Sequence, residues 1–100
     1  IIATTSRSHV TEKDIVTAEE EAAFREVMAA AGLEVAVYPE LPAAISAGLD
    51  RLQPGDILLL AGCQGMDHGA RICLEQIRQR RPHLAEAKIF KALQNRVAGV

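Results

Sequence analysis

Three short apolar runs, separated from one another by stretches of helical spacing, constrain this chain more than any other feature. They are residues 1–5 (Ile-Ile-Ala-Thr-Thr), 34–38 (Glu-Val-Ala-Val-Tyr) and 56–61 (Asp-Ile-Leu-Leu-Leu-Ala). Each is rich in apolar or β-branched residues, bounded by turn formers and too short for a helix, so each reads as a buried strand.

The intervening stretches carry a different period. Phe24, Val27, Met28 and Ala31 recur at helical spacing, after Thr17-x-x-Glu20 as a capping box and before Gly32 as a C′ residue, which predicts a helix over about 18–31. Between the second and third runs, Leu41, Ala44, Ile45, Gly48, Leu49 and Leu52 form one apolar face, ended by Pro54-Gly55. Ala70, Cys73, Leu74 and Ile77 repeat the pattern up to Arg81-Pro82, and Ile89, Leu93 and Val97 mark a last helix.

The resulting order is β-α-β-α-β-α-α. Strands that alternate with helices pair in parallel through right-handed crossovers, with helices covering the sheet. The expected fold class is therefore α/β: a Rossmann-like three-layer unit with a small, mainly parallel sheet. A chain of 100 residues with 49% hydrophobic content supports one core, so residues 1–100 are read as a single domain.

Eleven Lys plus Arg against thirteen Asp plus Glu leave a formal charge of −2, which offers no footprint for a nucleic-acid backbone. No apolar run approaches the roughly 20 residues needed to span a bilayer. The expectation is a soluble, cytoplasmic protein with neither nucleic acid nor membrane as partner. Two cysteines, Cys63 and Cys73, read as free thiols. Because the chain opens at Ile1 within a strand-like run, it reads as a piece of a longer polypeptide.

In an open parallel sheet, ligands gather beyond the carboxyl ends of the strands, where loops and helix amino termini present free N–H groups. Three segments qualify: Ser6-Arg7-Ser8-His9, the Pro39-Glu40 junction, and the loop from Gly62 to Gly69. The last holds three glycines in eight residues, which permits close backbone approach just before a helix, but it matches neither the dinucleotide fingerprint nor the Walker pattern. Candidate substrate-binding residues are Ser6, Arg7, Ser8, Gly62, Cys63, Gln64, Gly65 and Asp67. Arg7 follows a strand and reads equally as a guanidinium placed for a carboxylate or as a solvated loop residue, while Asp67 reads first as a helix cap and second as a partner for an ammonium. A nucleophilic Cys63 is the lesser reading, because an anion-cradling thiol loop would close on a nearby Arg, and Arg71 lies inside the expected helix. Cys73 falls on an apolar stripe and reads as core. His9, His68 and His83 show no ligand spacing, so no metal and no catalytic residue is assigned.

One stretch resembles a known family. Leu52-Gln53-Pro54-Gly55-Asp56 followed by Ile57-Leu58-Leu59-Leu60-Ala61-Gly62-Cys63-Gln64-Gly65-Met66 resembles the Pro-Gly-Asp, apolar run and Gly-x-x-Gly-Met sequence near the end of Mur ligases. Pro39 to Ile45 resembles the segment that opens the preceding helix in those enzymes, and Ile1 to Arg7 the strand leading to their diamino-acid-binding motif. The similarity covers about residues 1–80. Gln64 and Cys63 stand where the family's usual version has Arg and Ser, and residues 5–9 lack the Asp-Asn-Pro-Arg motif of diaminopimelate-adding members.

The resemblance implies most of the carboxyl-terminal domain of an ATP-dependent amide ligase, acting in peptidoglycan precursor synthesis. In such an enzyme an upstream domain of the same chain binds ATP and Mg²⁺ and forms an acyl phosphate, which the amine of an amino acid or peptide then attacks. This domain would help to hold the small-molecule amine substrate. The fragment itself is expected to bind no cofactor and to be inactive alone. The alternative is a non-catalytic Rossmann-like binding or regulatory module, since fold alone does not fix function.

Overall fold

The computed structural model describes residues 1–62, 64–86 and 91–92. Strand β1 (Ile2–Thr4) leads through two 3-10 turns, Arg7–His9 and Glu12–Asp14, into helix α1 (Ala18–Ala30). Strand β2 (Ala36–Tyr38) precedes helix α2 (Leu41–Arg51), and helix α3 (Gly69–Arg80) runs into a 3-10 segment, Pro82–Glu86. The last expected helix, marked by Ile89, Leu93 and Val97, lies outside the described residues.

The two strands pair in parallel with Ile2 opposite Ala36, Ala3 opposite Val37 and Thr4 opposite Tyr38. The ladder continues past both ends, with Ala36 N–H donating to Ile1 O at 3.1 Å and Thr5 N–H to Tyr38 O at 3.1 Å. It extends into the following loops through Arg7 N–H, which donates to Pro39 O at 2.9 Å. Residues 1 and 5 thus turn their main chain toward β2. In a parallel ladder, Ile2 and Thr4 then turn theirs to the open edge of β1.

Helix α2 is the centre of the packing. Pro42 sits in its first turn, where a missing N–H costs nothing, and Leu41, Ala44, Ile45 and Gly48 are buried. Leu41 is 0% exposed and forms the core with Ile45 and Cys73; Leu49, Leu58, Leu60, Met66, Ile72 and Ile77 pack around them. Gly48 lets the third apolar run approach, since a Cβ there would stand 3.3 Å from Leu58 Cδ1 and 3.9 Å from Ile2 Cδ1. Polar straps join α2 to α3: Gln76 Nε2 donates to Pro42 O at 2.9 Å, and Arg80 Nη1 and Nη2 reach Asp50 Oδ1 at 2.6 Å and Ser46 Oγ at 2.7 Å.

The described residues form a small α/β arrangement with a two-stranded sheet, and the third expected strand, over residues 56–61, is not formed. Residues 56–61 follow the Pro-Gly turn, in which Asp56 N–H donates to Gln53 O at 2.9 Å and Gln53 N–H to the Asp56 carboxylate at 2.9 Å. They then run past β1 without strand pairing. Leu58 and Leu60 pack on the core, whereas Ile57 is 91% and Leu59 81% exposed. The run was expected to be covered on both faces. Among the described residues only the α2 side supplies cover, because α1 packs against no other helix or strand there and buries none of its own residues.

Helix α1 nevertheless forms where its signals stand. Thr17 Oγ1 accepts from Glu20 N–H at 3.2 Å and the Glu20 carboxylate accepts from Thr17 N–H at 2.8 Å, the reciprocal capping box. Gly32 takes φ 72° just beyond the helix end. Among the described residues no helix is long and apolar enough to cross a membrane.

Candidate ligand-binding site

The segment leaving β1 and the glycine-containing loop before α3 are joined by one buried contact. Ser6 is 4% exposed and adopts the left-handed region, φ 47°, with its N–H donating to Thr4 Oγ1 at 3.0 Å. Its hydroxyl donates to Gly65 O at 2.8 Å. Gly65 has φ 84°, and a Cβ there would lie 2.8 Å from Ser6 Cβ and 2.9 Å from Val10 Cγ1. Only glycine satisfies both the backbone angle and the space.

The other loop glycines also answer to packing. A side chain at Gly62 would collide with Met66, and one at Gly69 would meet Met66 Cε at 3.0 Å. Met66 is thus enclosed by its own loop, whose end is fixed by Gly69 N–H donating to Met66 O at 2.8 Å. Steric need explains these glycines without a ligand.

A groove of about 1000 Å³ runs along the open edge of β1, between that edge and residues 56–62. Leu41, Ile45 and Gly48 contribute to its walls. Of the candidate residues, Ser6, Gly62 and Gln64 line it; Arg7, Ser8 and Asp67 do not. Arg7 is exposed, and its guanidinium makes no hydrogen bond or ion pair with the described residues. Ser8 Oγ donates to Glu40 Oε1 at 3.0 Å, tying the loops after the two strands together. Gln64, with its amide nitrogen turned to Asp14, donates to both carboxylate oxygens at 3.2 Å. Asp67 does not cap α3, whose N-cap residue is His68 with no side-chain cap bond. Cys63 lies outside the described residues.

Two residues passed over in the sequence meet here. His9 closes the first 3-10 turn and His68 opens α3, and their rings stand edge to face with centroids 6.2 Å apart and planes at 62°. His9 Nδ1 is buried and has no hydrogen-bond partner. Local spacing could not reveal this pair, because the tertiary contact between Ser6 and Gly65 creates it. Cys73 is a buried free thiol; burial raises its pKa and the Arg80 charge partly opposes the rise. It is an inert core residue.

What the geometry defines as a class is a small α/β unit with a mainly apolar groove beside an open strand edge. Comparison with protein-family models, with curated proteins and with solved structures finds no match.

Proposed function

We propose that this chain is the carboxyl-terminal, substrate-holding domain of an ATP-dependent amide ligase of the Mur type. The observation that carries the reading is the Ser6–Gly65 contact, which puts the end of the first strand and the glycine loop side by side. These are two of the segments expected, from their places beyond the strands, to hold a substrate. The Pro-Gly-Asp element also has a defined job in it, since its turn delivers residues 56–61 to the same edge. In the longer chain the proposed architecture is Rossmann-like, with residues 56–61 completed as a strand once their outer face is covered.

Arg7 is the residue proposed to hold a carboxylate of the amine substrate, because its guanidinium is solvent-facing and unpaired among the described residues beside the loop junction. The substrate's free amine would then be directed toward an acyl phosphate formed on the preceding domain. ATP and Mg²⁺ belong to that domain in this reading. No step through the nucleotide–metal pair is assigned to the described residues.

The test is steady-state kinetics of the longer ligase carrying Arg7→Ala. The KM for the amine substrate should rise by about one to two orders of magnitude, equivalent to about 1.5–3 kcal/mol, while that for ATP changes little. An unchanged amine KM would remove Arg7 from the site. A second reading, a non-catalytic binding module, is favoured by one observation: Arg7 lies outside the groove, whose walls are mostly apolar. Saturable binding of an apolar ligand to the groove, with no amide synthesis by the longer chain, would select it.

A further inference from the structure

We propose that the groove beside β1 receives a short extended peptide as an added strand, lying antiparallel to β1 with its terminal carboxylate at Arg51. This deepens the binding-module reading of the groove and does not depend on the ligase assignment. Both walls of the groove carry main chain without partners. Ile2 and Thr4 turn their N–H and C=O groups to the open edge of β1, where they bond to no described residue. Across the groove, the main chain of residues 57–61 likewise makes no hydrogen bond with the described residues. A purely apolar ligand would displace water from both rows without replacing its hydrogen bonds, at a cost for each group. An extended chain carries donors and acceptors at the strand repeat and satisfies both rows at once. The sheet order would then be β2, β1, peptide and the run 57–61.

The run is already shaped for this role, since Leu58 and Leu60 pack toward the core while Ile57 and Leu59 face away, the alternation of a strand. The edge from Ile1 to Ser6 has the length of an ordinary strand, about 17–20 Å, so the occupant is a peptide of about five residues. Ala44, Ile45 and Gly48 line the groove from α2 and favour apolar side chains at alternate positions. Charge sets the direction. Arg51, where α2 ends, lines the groove near the start of β1, and its guanidinium makes no hydrogen bond or ion pair with the described residues. The nearby Asp56 carboxylate is occupied by Gln53 N–H at 2.9 Å. At the other end, beyond Thr5, stands the Asp14 carboxylate, held beside Gln64 at 3.2 Å. A carboxylate at the first end and a cationic residue at the second match these charges only when the peptide runs opposite to β1.

The test is calorimetric titration of the protein with the peptide acetyl-Lys-Val-Thr-Val-Val, free at its carboxyl end, paired with amide hydrogen exchange followed by NMR. The expected result is one saturable site, with exchange at Ile2 and Thr4 slowed by about tenfold or more. Amidating the peptide's carboxyl end, or Arg51→Ala in the protein, should each weaken binding roughly tenfold or more. Because the amidated peptide is tested on the unmodified protein, a variant that fails to fold does not obscure the answer. Methylating alternate peptide nitrogens should abolish binding. Decanoate, which is apolar and has no amide groups, separates the two levels of the reading. If decanoate binds in the groove and the peptide does not, the binding-module reading stands and the peptide proposal fails; if neither binds, both fail. Equal affinity for the acid and the amide overturns the proposal, as does equal affinity for the methylated peptide. So does protection of Ile2 and Thr4 before any peptide is added, which would mean that residues 57–61 or a second copy of the chain already pairs with that edge.

Discussion

The hydroxyl of Ser6 donates to the main-chain oxygen of Gly65 at 2.8 Å, and no atom of a side chain fits between them. The contact fastens the end of β1 to the loop that opens α3. Ser6→Ala leaves a buried carbonyl without its donor and should cost about 1–3 kcal/mol. Gly65→Ala should cost about 2–4 kcal/mol, from left-handed backbone strain together with overlap against Ser6 and Val10. Urea denaturation of the two variants checks both values. A neutral Gly65→Ala would mean that the loop is not held against Ser6.

The alternation along residues 57–60 gives a second prediction. Leu58 packs on the core beside Gly48, so Leu58→Ala should destabilise by about 1–3 kcal/mol. Ile57 projects into solvent, so Ile57→Ala should stay within about 0.5 kcal/mol. Urea denaturation midpoints of the two variants against the parent protein check both values. A cost at Ile57 as large as that at Leu58 would mean that its outer face is covered.

These residues also show why the third strand was misjudged from sequence. A continuous apolar run announces burial, but whether both faces are covered depends on where α1 goes, and that is a tertiary matter. The capping box, the Gly32 stop and the apolar face of α2 were legible because each is a local signal. Ser6 and Gly65 were singled out by their positions after a strand and before a helix, and they do meet. Gln64–Asp14 and His9–His68 were not legible, since each pair joins segments more than forty residues apart whose proximity only the fold determines.

The isolation of α1 yields a third prediction. Thr17→Ala removes one half of the capping box and should weaken the helix by about 1 kcal/mol. Because α1 packs against no other helix or strand among the described residues, that loss should appear as faster amide exchange within residues 18–30 while the global unfolding midpoint barely moves. An equally large fall in global stability would show that α1 is coupled to the core.

The last prediction concerns Cys73, whose thiol is held by burial above its ordinary pKa of 9.0, with the Arg80 charge opposing the shift. The folded state keeps its proton at pH values where the unfolded chain has begun to lose it. Folding is therefore fully supported by this group below the unfolded pKa, and that support is lost progressively as pH rises from there through the higher folded pKa. Thermal unfolding followed from neutral pH to alkaline pH should show stability declining once the pH passes the ordinary thiol value. In Cys73→Ala the part of the decline due to this thiol should vanish, at the expense of a constant offset from the small cavity left beside Leu41 and Ile45. Thiol-reactive probes give an independent reading, since a neutral and buried sulfur should be modified only as the protein opens. Identical alkaline slopes in the two proteins, together with rapid labelling of Cys73 in the folded state, would show that the thiol is not enclosed by α2 and α3.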